Sequence, residues 1–135
     1  MLIEINNQAK FKFSQKLIKQ VIEKFVQVYQ IKAKEISLAF VSNREIRKIN
    51  KQYRGIDQPT DILSFSGEGD FFGEIVISPD MIIKQAKENQ QAIKAELVFI
   101  LVHGLLHLIG QNDITEKSRQ KMIKTGHDFI INHLK

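Results

Sequence analysis

Along the chain, apolar and polar positions change period several times, and each change marks an element. Ile3 and Ile5 alternate with Glu4 and Asn6, which predicts a short strand. Leu17, Val21, Phe25 and Val28 recur at helical spacing behind Ser14, a residue that caps helices through its hydroxyl. Residues 36–41 form a β-type run that becomes apolar on both faces, which predicts an interior strand. Asn43 is placed to cap a short helix with Ile46, Ile49 and Tyr53 on one side, and the loop Gly55-Ile56-Asp57-Gln58-Pro59 follows it. Residues 62–65 and 73–77 read as a hairpin pair around the turn glycines Gly67 and Gly69. Ser78-Pro79 opens a helix that runs to about residue 89. A second helix covers residues 93–109 and stops at Gly110; a third runs from about residue 115 to 134, with Met122, Gly126, Phe129, Ile130 and His133 on one stripe.

The resulting order is β-α-β-α-β-β-α-α-α. Strands and helices do not alternate strictly, so a fully parallel doubly wound sheet is not expected. The pattern predicts an α+β (mixed α/β) domain, with a small mixed sheet of about four strands packed by about five helices, spanning residues 1–135 as one unit. At 135 residues the chain is long enough for one self-sufficient core, and no repeat or linker divides it. The absence of cysteine excludes disulfides, thiolate metal sites and cysteine nucleophiles. The first residues lack the basic and apolar regions of a signal peptide, and the longest apolar run, residues 97–109, is too short for a membrane span; the expectation is a cytoplasmic protein without a membrane partner.

Charge changes the picture more than composition does. The net charge is +5, but residues 1–54 carry twelve Lys/Arg against four Asp/Glu, whereas residues 55–135 carry eight against eleven. A basic first part suits a polyanion partner; it also suits the solvated sides of helices bearing Lys10, Lys12, Lys16, Lys19 and Lys24.

The chemistry is concentrated in residues 98–113. The helix here is apolar on nearly every side, so it is buried, and His103 and His107 are four apart on one face. That spacing lets two imidazoles reach one metal ion, and Asp113, beyond the glycine stop, offers a third ligand. Two nitrogens and one oxygen would leave an open position for water, as a catalytic zinc needs. Other readings of the same residues stand beside this one. Buried histidines can be satisfied by carbonyls or water, and Asp113 with Glu116 three positions later is a good helix cap. The same ligand set also suits Fe(II). Gly104 weakens a helix interior, which implies a close approach to the backbone there. It also stands where H-E-x-x-H peptidases carry their general base, which disfavours peptide cleavage.

Three blocks in the right order resemble the YbeY family of bacterial endoribonucleases. Residues 50–65, from Asn50 through Tyr53-Arg54, Asp57 and Pro59-Thr60-Asp61 to Ser64-Phe65, are similar to the family's N-x-x-Y-R-x-x-D-x-P-T-D-V-L-S-F. Residues 73–78 are close to its G-D-I-V-I-S, and residues 103–110 match the front of its H-G-x-L-H-L-x-G-Y-D-H. The resemblance is weak over residues 1–35 and after residue 115. The chain departs from the family at Gln111-Asn112-Asp113, where Asp113 replaces the third histidine, and at Ser66, which replaces a proline. The resemblance implies a metal-dependent, single-strand-specific endoribonuclease of ribosomal RNA maturation and ribosome quality control, working on ribosomal RNA precursors and the small ribosomal subunit. It implies one Zn2+ held by His103, His107 and Asp113, with Arg54 stabilising the phosphate in the transition state. Thr60, Asp61 and Ser64 are expected to support this site, and His127 and His133 to lie outside it. The competing expectations are a ribosome assembly factor that lost its chemistry with the third histidine, and another metallohydrolase with two histidines and a carboxylate.

Overall fold

A computed structural model describes residues 1–135. The elements are β1 (Leu2–Asn7), α1 (Gln15–Val28), β2 (Glu35–Phe40), α2 (Asn43–Arg54), β3 (Ile62–Ser66), β4 (Phe71–Ile77), α3 (Pro79–Glu88), α4 (Ile93–Leu108) and α5 (Glu116–His133). The order is the one the hydrophobic pattern predicts, and the domain is α+β. The strands form one mixed sheet in the order β1-β2-β4-β3. β2 is parallel to both β1 and β4, and β3 returns antiparallel to β4 as its hairpin partner. β2 is therefore interior, as its doubly apolar run requires, and β3 is an edge.

The two faces of the sheet are covered unequally. Ile36, Leu38 and Phe40 from β2, Ile75 and Ile77 from β4, and Ile62 from β3 point to a core of 20 buried residues shared with α1, α3, α4 and α5. The alternate positions Leu63 and Val76, with Val41 just after β2, meet Ile46 of α2 in a second cluster of four. α4 is the central helix: Leu101, Val102, Leu105 and Leu106 have no measurable exposure. No single helix is long and apolar enough to cross a membrane.

Helix starts follow side-chain chemistry. Ser14 and Ser78 cap α1 and α3 as read from sequence, with Pro79 in the first turn of α3. The α2 cap is a correction. Ser42, one residue before the predicted Asn43, accepts from the Glu45 amide, and Asn43 instead accepts the Ser78 hydroxyl at 2.6 Å. Both residue types cap well, and the extended backbone of Ser42 decides between them.

Candidate metal centre

α4 ends in a turn that builds half of the site. Gly110 has φ +97°, and its amide donates to the His107 carbonyl at 3.0 Å, while the Gln111 amide donates to the Leu106 carbonyl at 3.1 Å. This paired arrangement is a Schellman turn, which needs a left-handed residue and so favours glycine. It brings the Gln111 carbonyl to 3.1 Å from His107 Nδ1. Nδ1–H therefore donates to Gln111, and the His107 Nε2 lone pair is left facing the cluster.

The reversed chain carries Asp113 back over the helix. Asp113 Oδ2 lies 3.7 Å from His103 Nε2 and 3.6 Å from His107 Nε2, and the two Nε2 atoms are 3.2 Å apart. A tetrahedral zinc with ligand distances of about 2.0–2.2 Å separates its ligand atoms by roughly 3.3–3.6 Å, so the triangle has the right size. The donor set fits as well, because the His107 Nε2 lone pair faces His103 Nε2 at 3.2 Å, a gap that takes a cation or a proton. Burial, reinforced by the neighbouring His107, holds the His103 pKa below the ordinary histidine value against the opposing charges of Asp61 and Asp113. His103 is thus kept in the neutral form a metal requires.

The competing role of Asp113 as a helix cap is not what the structure shows. Thr115 caps α5, exchanging hydrogen bonds with Ser118, and Glu116 turns to Arg119 and Gln120. Asp113 is left with the two imidazoles as its partners.

Arg54 comes from the other layer of the domain. It is the last residue of α2, exposed, followed by Gly55 at φ +71°, and it forms no ion pair. Arg54 and the candidate ligands line one cleft of about 370 Å³ with Tyr53, Thr60, Asp61, residues 62–65 and Asn112. The cleft runs along β3, the sheet edge, so residues pointing to both faces reach it. The imidazoles approach from the α4 side and the guanidinium from the α2 side.

The supporting residues are placed by specific bonds. Ser64 donates to the Gly104 carbonyl at 3.1 Å, tying β3 to the histidine helix. A Cβ on Gly104 would lie 2.4 Å from Ile62 Cδ1, which is the close approach the glycine implied. Asp61 accepts from Gln85 at 3.2 Å and from Thr60 at 3.3 Å. Asn50, buried in α2, donates to the Gln58 carbonyl at 2.9 Å and holds the loop after Arg54. Neither late histidine enters the cleft: His127 stacks on Phe99 at 4.7 Å, and His133 lies 5.2 Å from Phe129. Both border a separate groove of about 1150 Å³ between α1, α4 and α5. Helical spacing groups Tyr53 with Ile46 and Ile49 on one side of α2, yet it is 64% exposed at the cleft, a position the pattern does not signal.

Fold and cleft together define a class: a small α+β domain with a candidate metal triad and a free guanidinium lining one cleft. Comparison with known proteins narrows it. The family model for endoribonuclease YbeY matches residues 3–135. Endoribonuclease YbeY of Alkaliphilus metalliredigens is 38% identical over 137 residues, covering 91% of this chain and 88% of its own. The Finegoldia magna protein of the same name is 40% identical, covering 88% and 85%, and that of Bacillus subtilis is 41% identical, covering 71% and 70%. The solution structure of TM1509 from Thermotoga maritima superposes with a TM-score of 0.65 at 29% identity, covering 96% of this chain and 87% of that one. The chain belongs to the endoribonuclease YbeY family and is an RNA-cleaving hydrolase.

Proposed function

We propose that this domain, over residues 1–135, is a metal-dependent, single-strand-specific endoribonuclease that acts in the cytoplasm on ribosomal RNA precursors and on the small ribosomal subunit. The observation that carries the metal assignment is the triangle of His103, His107 and Asp113, with edges of 3.2, 3.7 and 3.6 Å, across a cleft from an unpaired arginine. These three residues would hold one Zn2+. A divalent ion there supplies Lewis-acid chemistry, polarising a phosphoryl oxygen and acidifying water. Gln111 keeps His107 in the ligand tautomer, and burial keeps His103 neutral. Arg54 binds the scissile phosphate through two parallel N–H donors and offsets the charge that builds on it. The Asn50 bond to the loop keeps this arginine at the cleft mouth. Replacement of the family's third histidine by Asp113 adds a hard, negative ligand, which shifts preference toward harder ions and makes the metal a measurable question.

Elemental analysis of protein purified without added metal, alongside His107→Ala and Asp113→Ala, tests this reading. One zinc per chain in wild type, lost from both variants, is the expected result. Arg54→Ala should keep the metal and RNA binding yet lose cleavage of a single-stranded oligoribonucleotide by about 100-fold or more. Equal metal content in all three proteins would remove the triad; one iron per chain would replace zinc with Fe(II); cleavage unaffected by Arg54→Ala would remove the arginine.

A further inference from the structure

Tyr53 is a large aromatic residue in the wrong place for a core residue. On α2 it shares a side with Ile46 and Ile49, which face the sheet. The sheet, however, ends at β3, and beside that edge strand Tyr53 is left 64% exposed. Its one aromatic neighbour is Phe65, whose ring meets it edge-on at 5.2 Å and 64°. The contact orients the ring, and at 64% exposure the ring keeps a face open to solvent. Both rings line the cleft that holds Arg54, His103, His107 and Asp113, and Tyr53 immediately precedes Arg54.

We propose that Tyr53 is the platform on which an unpaired RNA base stacks beside the phosphate held by Arg54. The proposal rests on the endoribonuclease reading of the cleft and adds the origin of strand selectivity. A base within a duplex has its faces covered by its neighbours, so an aromatic ring cannot reach them; a single-stranded base offers a free face. Stacking is also tolerant of base identity, since every base has a π face. The charge of the adjoining surface agrees. Arg44, Arg47, Lys48, Lys51 and Arg54 are all exposed and lie within roughly 120° of one another around α2, opposite its apolar side. This stripe gives the phosphates a track that ends at Arg54, which lines the cleft beside Tyr53.

The sequence contains no tryptophan, so Tyr53→Trp creates a single fluorescent reporter at the site. The variant is titrated, in the presence of EDTA so that cleavage does not intervene, with an end-labelled single-stranded oligoribonucleotide and with a blunt duplex of the same sequence. Label anisotropy reports binding and indole emission reports stacking. Quenching by the single strand, following the same isotherm as anisotropy and absent with the duplex, supports the platform. In cleavage assays with metal, Tyr53→Ala should raise KM for single strands about 5- to 100-fold with kcat within about twofold, and Tyr53→Phe should behave as wild type. Binding of single strands without quenching, or equal quenching by duplex, overturns the platform and leaves the nuclease reading standing. Failure of wild type to bind either RNA overturns that reading and the platform with it.

Discussion

Two glycines and a histidine show how much of this site is decided atom by atom. Gly73, in β4, has φ +155°, and a Cβ there would lie 2.5 Å from the Phe65 carbonyl oxygen, a backbone atom of the facing strand. Gly73→Ala should therefore cost about 2–4 kcal/mol in urea unfolding, through backbone strain and the pried-apart hairpin. Gly104 meets a side chain instead, Ile62 Cδ1 at 2.4 Å, and the space that excludes a glutamate after the first histidine is this contact. His103 sets a pH dependence. Its folded pKa lies below the ordinary value, so the unfolded chain takes up the proton first as pH falls. Metal-free protein should be at full stability above the unfolded value of about 6.5 and lose stability as pH drops through it toward the folded value. His103→Gln should flatten urea midpoints measured between pH 8 and pH 5. The two histidines were legible from the i, i+4 spacing and an apolar helix. Asp113 is legible from sequence only as one of two roles, because a ligand and a cap share chemistry; Thr115 and Ser118 close α5 by themselves and leave Asp113 out of the cap.

At the scale of elements, α2 does two jobs on opposite sides. Ile46 packs into the sheet with no measurable exposure, while the five cations face outward. If these cations follow a single-stranded backbone, replacing Arg44, Lys48 and Lys51 with alanine removes three phosphate contacts. The slope of log affinity against log salt should then fall by about 2, at about 0.7 per contact, with no change in metal content. Arg47 is better left in place in this test, because it pairs with Asp57 at 2.8 Å across the loop; that pair raises the Arg47 pKa and lowers that of Asp57. The periodicities made every helix and strand visible, and Gly110 stops α4 as read. What they did not contain is adjacency. That β2 and β4 are neighbours, with β3 outermost, follows from long-range pairing that no local pattern encodes. The exposure of Tyr53 follows from that order alone: were β3 interior, the same ring would have been covered.

The whole molecule is a site straddling a rim. The imidazoles belong to the layer with 20 buried residues and the guanidinium to the layer whose cluster has four. Local opening follows how much apolar surface holds a segment down, so the α2 layer should loosen well before α4 does. Native-state amide exchange should show α2 protected by a smaller free energy than α4, whose amides should exchange by global unfolding. Leu63→Ala, in the small cluster, should lower α2 protection by about 2–4 kcal/mol while leaving that of α4 at its wild-type level.

This lopsided anchoring has a consequence for how the enzyme fails. If the triad holds a metal as proposed, mild heat or denaturant should detach the arm bearing Arg54 while the ion stays seated on its rigid floor, yielding a protein that still titrates as metal-loaded yet cuts nothing. Assays of metal content and of cleavage on the same warmed sample would then part company, with catalysis vanishing at the lower temperature.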